Sequence, residues 1–275
     1  MSVAERVWDV YAIRYAVNSG QQASHNFIGG DAHDGPMPLD YFVWLIRNNE
    51  QTIVVDTGFN ASVAAARGRD HIACPAATLA RIGVDADTVE DVILTHLHYD
   101  HAGNHHLFPT ARFHVQDREM AYATGRCMTH RSLRQPFEAE DIAVMVRRTF
   151  ADRVVFHDGD WELADGVTVH LIGGHTAGLQ VVRVRTVEGW LVLASDASHF
   201  YANIETERSF PIVYHVGDML EGFRRLRELV DRPDMIVPGH DPLVVERYPA
   251  PSADLAGLIV RLDQGRVDRS APDEI

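Results

Sequence analysis

Cysteine is scarce in this sequence: only Cys74 and Cys127 occur among 275 residues, too few for the disulfide framework of a small secreted domain. Long apolar runs are also missing, and no stretch approaches the roughly 18 uninterrupted apolar residues of a membrane span. The first nine residues carry charges of both signs and no apolar core, unlike a secretory signal. We therefore expect a cytoplasmic protein that has no membrane partner.

Positive charge is limited as well. The sequence has 25 Lys and Arg residues against 39 Asp and Glu residues, for a formal net charge of −14. A field of this sign repels nucleic acid. No segment rich in Pro, Ser or Gly divides the chain. We expect one domain spanning residues 1–275, with no nucleic-acid partner.

The order of predicted elements indicates an α/β fold. Residues 20–36 are rich in turn-forming residues and predict a surface loop. Apolar periodicity predicts strands and helices in alternation. The strands are 41–46, 52–55, 91–95, 154–156, 167–172, 180–185, 190–194 and 235–237, and the helical segments are 61–67, 75–82, 117–150 and 219–230.

Two segments of the sequence show a weak internal similarity. Strand 52–55 is followed by Asp56, a helical region and a strand that ends at His96. Later, strand 190–194 is followed by Asp196, a helix and a strand that leads to His240. Two such units would form two packed sheets with helices outside, and the polar residues at the strand ends would then meet at one edge.

Histidine is what the sequence has in quantity, with 16 residues, and their clustering is more informative than their number. Residues 95–103 read THLHYDHAG, which places three histidines and one aspartate within six residues directly after a predicted strand. Histidine nitrogens and carboxylate oxygens are ligands for zinc and similar ions. The cluster consists of His96, His98, Asp100 and His101.

This cluster supplies too many ligands for one catalytic ion that must keep an open coordination position, so two ions are the simpler interpretation. Further ligands are expected at other strand ends. The candidates are His175, Asp196 and His240, each beside small residues. His105, His106, His114, His157 and His170 are expected to be structural or solvated.

The spaced set formed by the 96–101 run, His175, Asp196 and His240 resembles the metallo-β-lactamase superfamily. The sequence Asp56-Thr57-Gly58 is similar to an early strand-end motif of that family, and the resemblance extends over roughly residues 40–245. Asp100 together with Gly239-His240-Asp241 resembles the branch of the N-acyl homoserine lactonases, to which 4-pyridoxolactonase is related.

The resemblance implies an αβ/βα four-layer sandwich, in which two mixed β-sheets pack face to face with helices outside. It implies two divalent metal ions per chain, usually zinc. By position, His96, His98 and His175 would bind one ion. Asp100, His101 and His240 would bind the other, and Asp196 would bridge both. Asp56 would position a ligand histidine by a hydrogen bond rather than bind metal.

The resemblance further implies a hydrolase that opens the ester ring of a lactone. A hydroxide activated by the two ions would attack the carbonyl, and Asp100 would carry a proton. No Gly-x-Ser-x-Gly motif suggests a serine nucleophile. Lactonases of this branch usually carry a tyrosine three residues after the bridging aspartate. Here that position is His199, so either His199 or the nearby Tyr201 is expected to contact the substrate.

Other functions on the same metal ligands stay open at this point. These are a phosphodiesterase, a thioester hydrolase and a non-hydrolytic di-iron protein. The strand-end loops contain few basic residues, which favours a neutral or weakly charged small-molecule lactone or ester over a phosphate substrate. The helical insertion at about 117–150 would either cap the site or join two copies of the chain in a homodimer, and the sequence is compatible with both.

Overall fold

The computed structural model describes residues 6–31 and 33–267, and these form two β-sheets and the helices around them. The strands are β1 (Asp9–Asn18), β2 (Leu39–Arg47), β3 (Thr52–Val55), β4 (Asp70–His71), β5 (Asp91–Ile93), β6 (Arg112–Gln116), β7 (Val154–His157), β8 (Trp161–Ala164), β9 (Val167–Leu171), β10 (Gln180–Thr186), β11 (Gly189–Ser195), β12 (Ile236–Pro238) and β13 (Ile259–Arg261). The α-helices are α1 (Ala61–Arg67), α2 (Pro75–Ala80), α3 (Tyr99–Ala102), α4 (Asp117–Ala123), α5 (Arg131–Arg134), α6 (Ala139–Thr149), α7 (Tyr201–Thr206), α8 (Val216–Glu228) and α9 (Leu243–Arg247).

Both sheets are mixed. The first has the order β13-β1-β2-β3-β5-β6-β7, with β4 paired to β1, and the second has the order β12-β11-β10-β9-β8. Strands β3, β5, β6 and β7 pair in parallel, whereas β1 and β2 are antiparallel. In the second sheet the β11–β12 pair is parallel, and the other pairs among the described residues are antiparallel.

Alternation of side chains along the strands produces the layers. In β2, Trp44 and Ile46 face the second sheet, while Val43 and Leu45 face the helices on the opposite side. Because successive strand residues point to opposite faces, each apolar strand supplies two cores. A third core forms where Phe223 and Leu226 of α8 pack on the outer face of the second sheet. The predicted αβ/βα sandwich of two mixed sheets is confirmed.

The internal similarity seen in the sequence corresponds to a shared geometry. Strands β3 and β5 are parallel neighbours in the first sheet, and β11 and β12 are parallel neighbours in the second. Asp56 therefore follows β3 beside the end of β5, and Asp196 follows β11 beside the end of β12. Polar residues from both sheets consequently meet at one edge of the sandwich.

Several strands were missed by the sequence analysis. The longest is β1, whose ten residues are buried over most of their length, on both faces. Burial on both faces removes the alternation of apolar and polar residues that marks a strand. The others are short: β4, β6, β8 and β13. The segment 117–150 is mainly helical as predicted, but it is divided into α4, α5 and α6 rather than continuous.

None of the helices in residues 6–31 and 33–267 is long and apolar enough to cross a membrane.

Candidate metal centre

The histidine run lies between a strand and one short helical turn. It follows β5, and α3 begins at Tyr99 with His98 at its N-cap. The change from extended to helical backbone lets side chains at short spacing point toward one place. Every candidate ligand is buried, with no more than 8% of its surface exposed, including His96, His98, Asp100, His101, His175, Asp196 and His240.

The first group of candidate ligands is His96, His98, His175 and Asp196, whose ligand atoms all lie within 4.8 Å of one another. Nε2 of His175 is 3.2 Å from Oδ2 of Asp196, and Nε2 of His96 is 3.8 Å from the same oxygen. His98 Nδ1 lies 2.9 Å from Nε2 of His175. The ring nitrogens thus converge on one carboxylate oxygen.

The second group is Asp100, His101, His240 and the same Asp196. Nε2 of His101 and Nε2 of His240 lie 3.2 Å and 3.0 Å from Oδ1 of Asp196. Oδ2 of Asp100 is 3.6 Å from both of these nitrogens. Asp196 therefore turns one carboxylate oxygen to each group, as a bridging ligand does.

Three buried atoms of this cluster fit a cation better than a hydrogen bond. His96 Nε2, His101 Nε2 and Asp196 Oδ1 are inaccessible and have no hydrogen-bond partner among the described residues. Buried polar atoms are nearly always paired, so each unpaired one requires an explanation. Nitrogen and carboxylate donors in this arrangement suit zinc, and equally iron, manganese or cobalt. The two groups sharing Asp196 are those of a dinuclear metal site.

The electrostatics of the cluster also suit metal ligands. Burial, with nearby histidines, holds the pKa of His96 and His98 well below its ordinary value, so both rings are neutral and can bind a cation. Burial works to raise the pKa of Asp196. His240, His101 and other histidines outweigh it and hold that pKa well below its ordinary range, so the carboxylate is ionised.

Hydrogen bonds from outside the cluster orient three of the histidines. Nδ1–H of His175 donates to the carbonyl of Ile212 over 2.7 Å, and Nδ1–H of His240 donates to the carbonyl of Asp40 over 2.8 Å. A proton on Nδ1 leaves Nε2 with its lone pair directed at the cluster. His101 Nδ1 is 2.7 Å from Oδ2 of Asp56, the contact that the family resemblance implies for that aspartate.

Asp56 and Ser195 occupy strained backbone conformations at matching strand ends. Their φ angles are 62° and 44°, in the left-handed region that non-glycine residues rarely adopt. Asp56 also accepts hydrogen bonds from the backbone N–H and the hydroxyl of Thr95, at 2.7 Å and 2.8 Å. The hydroxyls of Thr95 and Ser195 lie 2.8 Å apart, which joins the two sheets directly behind the cluster.

Gly239 lies so close to Ser195 and Asp196 that the site has no space for a side chain at this position. A Cβ atom at this position would lie 2.7 Å from the backbone of Ser195 and 2.9 Å from Oδ1 of Asp196. Any larger residue would displace the bridging carboxylate or the strand end that carries it. This contact explains why a small residue precedes His240 in the sequence.

Glu119 is a positioning residue that the sequence analysis missed. Its side chain is fully buried in α4, and Oε1 accepts the N–H of Leu97, between His96 and His98. Oε2 accepts the hydroxyl of Thr176 and the N–H of Gly178, in the loop that follows His175. Glu119 thus joins the two loops that carry the first group. No sequence motif marked this residue, because its partners are mostly backbone groups.

A cavity of about 430 Å³ opens onto the cluster. Its wall includes His98, Asp100, His175, Asp196, His199 and His240, and also Arg67 and Arg69. The two arginines were not expected, since sequence reasoning had found few basic residues near the strand ends. They were missed because α1 and the segment after it bring them to the cavity from a distant part of the sequence.

His199 lies in the cavity wall. Its Nε2 is 2.9 Å from Oδ2 of Asp196, and its ring stacks on Phe210 with centroids 3.5 Å apart. Burial lowers the pKa of His199 to about 4, despite the opposing effect of Asp196. The neutral ring therefore donates its Nε2–H to the carboxylate, which leaves Nδ1 as a hydrogen-bond acceptor.

Tyr201 does not reach the cavity. It begins α7 and packs in the core between the two sheets, with its hydroxyl buried and unpartnered among the described residues. Its ring lies against the guanidinium groups of Arg247 and Arg266. Tyr201 thus belongs to the core and is not among the residues that line the cavity, which corrects the expectation that Tyr201 could contact the substrate.

Comparison with known proteins agrees with this geometry. The family model of the metallo-β-lactamase superfamily matches residues 37–240, and the chain belongs to that superfamily. Among its relatives, the N-acyl homoserine lactonase of Bacillus thuringiensis is 27% identical over 219 residues, which cover 74% of this chain and 82% of the relative. A probable metallo-hydrolase of Mycobacterium tuberculosis is 26% identical over 240 residues, which cover 73% of this chain and 74% of the relative.

A similar solved structure is that of an N-acyl homoserine lactone hydrolase with the product N-hexanoyl-L-homoserine bound at its catalytic metal centre. It is 25% identical, with a TM-score of 0.69 and coverage of 86% of this chain and 94% of the other. These likenesses and the two ligand groups indicate a metal-dependent hydrolase with a dinuclear-type site.

Proposed function

We propose that this protein is a dinuclear-metal lactonase, which hydrolyses the ester ring of a small lactone. The proposal depends on one observation. The two carboxylate oxygens of Asp196 are directed to different groups of candidate ligands, and both groups lie beside an open cavity. The relatives named as N-acyl homoserine lactonases support a lactone as the substrate. At 25–27% identity they support the reaction more than the particular lactone.

The residues present would hold two divalent ions, most simply zinc. His96, His98 and His175 would hold one ion, Asp100, His101 and His240 the other, and Asp196 both. Two such ions supply Lewis acidity toward an ester carbonyl and a nucleophilic hydroxide near neutral pH. Groups of the protein must then accept the proton of the attacking water and supply a proton to the leaving ring oxygen.

We propose that Asp100 moves that proton. Its carboxylate lies in the cavity wall, with Oδ2 directed at the second group. We propose that the carboxylate of Asp100 accepts a proton during attack and passes it to the ring oxygen as the ester bond breaks. His199 would hold Asp196 in place through Nε2–H, and its Nδ1 would accept a hydrogen bond from substrate or water.

A hydrolysis screen of protein with measured metal content tests the proposal. It should include acyl homoserine lactones of several chain lengths, aromatic and aliphatic lactones, a phosphodiester and a glutathione thioester. We expect hydrolysis of a lactone and about two metal ions per active chain. Hydrolysis of the phosphodiester alone, or full activity with fewer than two ions per chain, would contradict the proposal.

A further inference from the structure

Two arginines enter the cavity together from the end of α1. Gly68 follows the helix with a φ of 64°, and the N–H of Arg69 donates to the carbonyl of Ala64 over 2.8 Å. This left-handed end turns the chain sharply, so that Arg67 and Arg69, two residues apart, both line the cavity. The two guanidinium groups differ in what they contact.

Arg67 is committed to partners within the protein. Its Nη2 is 2.7 Å from Oε1 of Glu138, and it donates to the carbonyl of Gln135. Its guanidinium lies 3.9 Å from the centre of the Tyr99 ring. The charge of Arg67 is therefore neutralised, and its role in the wall is structural.

Arg69 is not neutralised in this way. Its Nε donates to the hydroxyl of Tyr99 over 3.4 Å, and its Nη1 donates to the carbonyl of Arg67 over 2.9 Å. Both partners are uncharged. Across residues 6–31 and 33–267, Asp and Glu side chains all lie beyond ion-pair distance of this guanidinium. A half-buried cation without a counter-charge thus faces the cavity.

Two tyrosines, Tyr99 and Tyr41, connect Arg69 to the candidate metal site. The hydroxyls of Tyr99 and Tyr41 are 3.2 Å apart, and the Tyr41 ring lies 5.1 Å from the ring of His240. In the cavity wall, Tyr41 and Tyr99 therefore lie between the candidate ligand His240 and the guanidinium of Arg69. Part of the remaining lining is apolar, including Leu133, Ile212 and Val213.

We propose that Arg69 binds an anionic carboxylate on the substrate, so that the preferred substrate is a lactone bearing a carboxylate group. This inference rests on the proposed lactonase function and narrows its substrate class. The two ions would draw the ester carbonyl to the ligand groups, while the guanidinium would bind the carboxylate of the same molecule elsewhere in the cavity. An arginine–carboxylate contact is charge-assisted and can be bidentate, which fixes orientation as well as affinity. Because the chain carries a net negative charge, most of its surface repels anions, and a local cation would favour binding of a carboxylate at this one place.

The test uses a matched pair of substrates with the metal-loaded protein. One is 5-oxotetrahydrofuran-2-carboxylate, and the other is its carboxamide, which has nearly the same shape without the charge. We expect the native protein to prefer the carboxylate by about 10- to 100-fold in kcat/KM, the usual range for a hydrogen bond to a charged group. Arg69→Gln should remove this preference, because kcat/KM should fall far more for the carboxylate than for the carboxamide.

Two further variants serve as controls. Arg69→Lys keeps the charge without the planar fork and should retain part of the preference. Arg81→Gln removes an arginine from the protein surface, where it pairs with Asp254, and should leave the preference unchanged. Equal kcat/KM for the two substrates in the native protein would overturn the proposal. An equal loss on both substrates in Arg69→Gln would do so too, since it would indicate a structural role.

Binding gives a second readout that does not depend on turnover. Calorimetric titration compares 5-oxopyrrolidine-2-carboxylate, a lactam analogue, with its carboxamide. If neither lactone is hydrolysed, the proposed function fails for these rings, but the titration still decides the anion site. Tighter binding of the lactam carboxylate that Arg69→Gln abolishes would support the site, and equal binding of the two lactams would overturn it.

Discussion

Within residues 6–31 and 33–267, two clusters of buried or half-buried histidines differ in where their ring nitrogens point. We call the two ligand groups together the metal-site cluster. Nitrogens of its five histidines converge on the carboxylate of Asp196 or on one another, and those of His96 and His101 have no hydrogen-bond partner among the described residues. The second cluster, which we call the edge cluster, consists of Asp91, His114, His157 and Trp161 near the β7 edge of the first sheet.

In the edge cluster the hydrogen-bonding groups are arranged in a chain. His114 Nδ1 lies 3.1 Å from Nε2 of His157, and His114 Nε2 lies 2.9 Å from Asp91. The His157 ring stacks on Trp161 with centroids 3.6 Å apart. Histidines in contact are therefore not in themselves evidence of a metal site. Convergent nitrogens without partners distinguish the first cluster from the second.

The largest effect is expected from a substitution at Asp196, the central carboxylate of the metal-site cluster, and it is compared with the same substitution at Asp91, the carboxylate of the edge cluster. Asp196→Asn replaces one carboxylate oxygen by an N–H donor facing histidine nitrogens, so we expect metal content below one ion per chain and a loss in kcat of about 100-fold or more. Asp91→Asn should keep both ions and kcat within about twofold. Elemental analysis and steady-state kinetics measure both, and equal behaviour of the two variants would remove the distinction.

Asp56→Asn tests whether a residue behind the metal-site cluster acts through His101. The amide weakens the hydrogen bond to Nδ1 of that ring, and partners of ligand histidines typically contribute 10- to 100-fold in metal affinity or activity. We expect a decrease of about this size in a competition titration with a chelator. Unchanged metal affinity together with unchanged kcat would show that the contact only stabilises the fold.

His199→Ala tests a histidine that lines the cavity and belongs to neither ligand group. We expect kcat on the true substrate to fall by about 10-fold, the effect of losing one hydrogen bond in the site, while metal content stays at two ions. Loss of an ion would instead assign His199 to the ligands. An unchanged kcat would exclude it from the mechanism.

Glu119→Gln should act mainly on stability. The amide can accept through only one of its two ends, so at least one buried donor among Leu97 N–H, the Thr176 hydroxyl and Gly178 N–H loses its partner. We expect the free energy of unfolding to fall by about 1–3 kcal/mol, with both ions retained. Glu140→Gln, at an exposed position of α6, is the matched control for denaturant titrations and should leave that free energy nearly unchanged.

The smallest expected effect concerns pH and the edge cluster. Burial and the neighbouring His114 lower the pKa of His157 from 6.5 to about 4. The folded state therefore binds fewer protons than the unfolded state, so stability is complete above pH 6.5 and declines as pH falls toward 4. His157→Phe keeps the stack on Trp161 and should flatten the decline of Tm between pH 7 and 5. An equally steep decline in the variant would contradict this origin.

The fold and the candidate ligands in residues 96–101 could be predicted from the sequence, whereas the other residues of the cavity could not. His96 to His101 lie within six residues after a strand, so local pattern reveals them. Arg69 follows α1 and Glu119 lies in α4, and only packing brings them to the site. The strand β1 was missed because it is buried on both faces, where alternation disappears.

The candidate ligands come from both sheets: His96 follows β5 of the first, whereas Asp196 and His240 follow β11 and β12 of the second. Ions held by this set would therefore act as reversible cross-links between the two halves of the sandwich, in a chain whose two cysteines are unpaired. Separation of the halves would have to wait for release of the ions. The metal site would then govern how slowly the protein unfolds as well as what it hydrolyses.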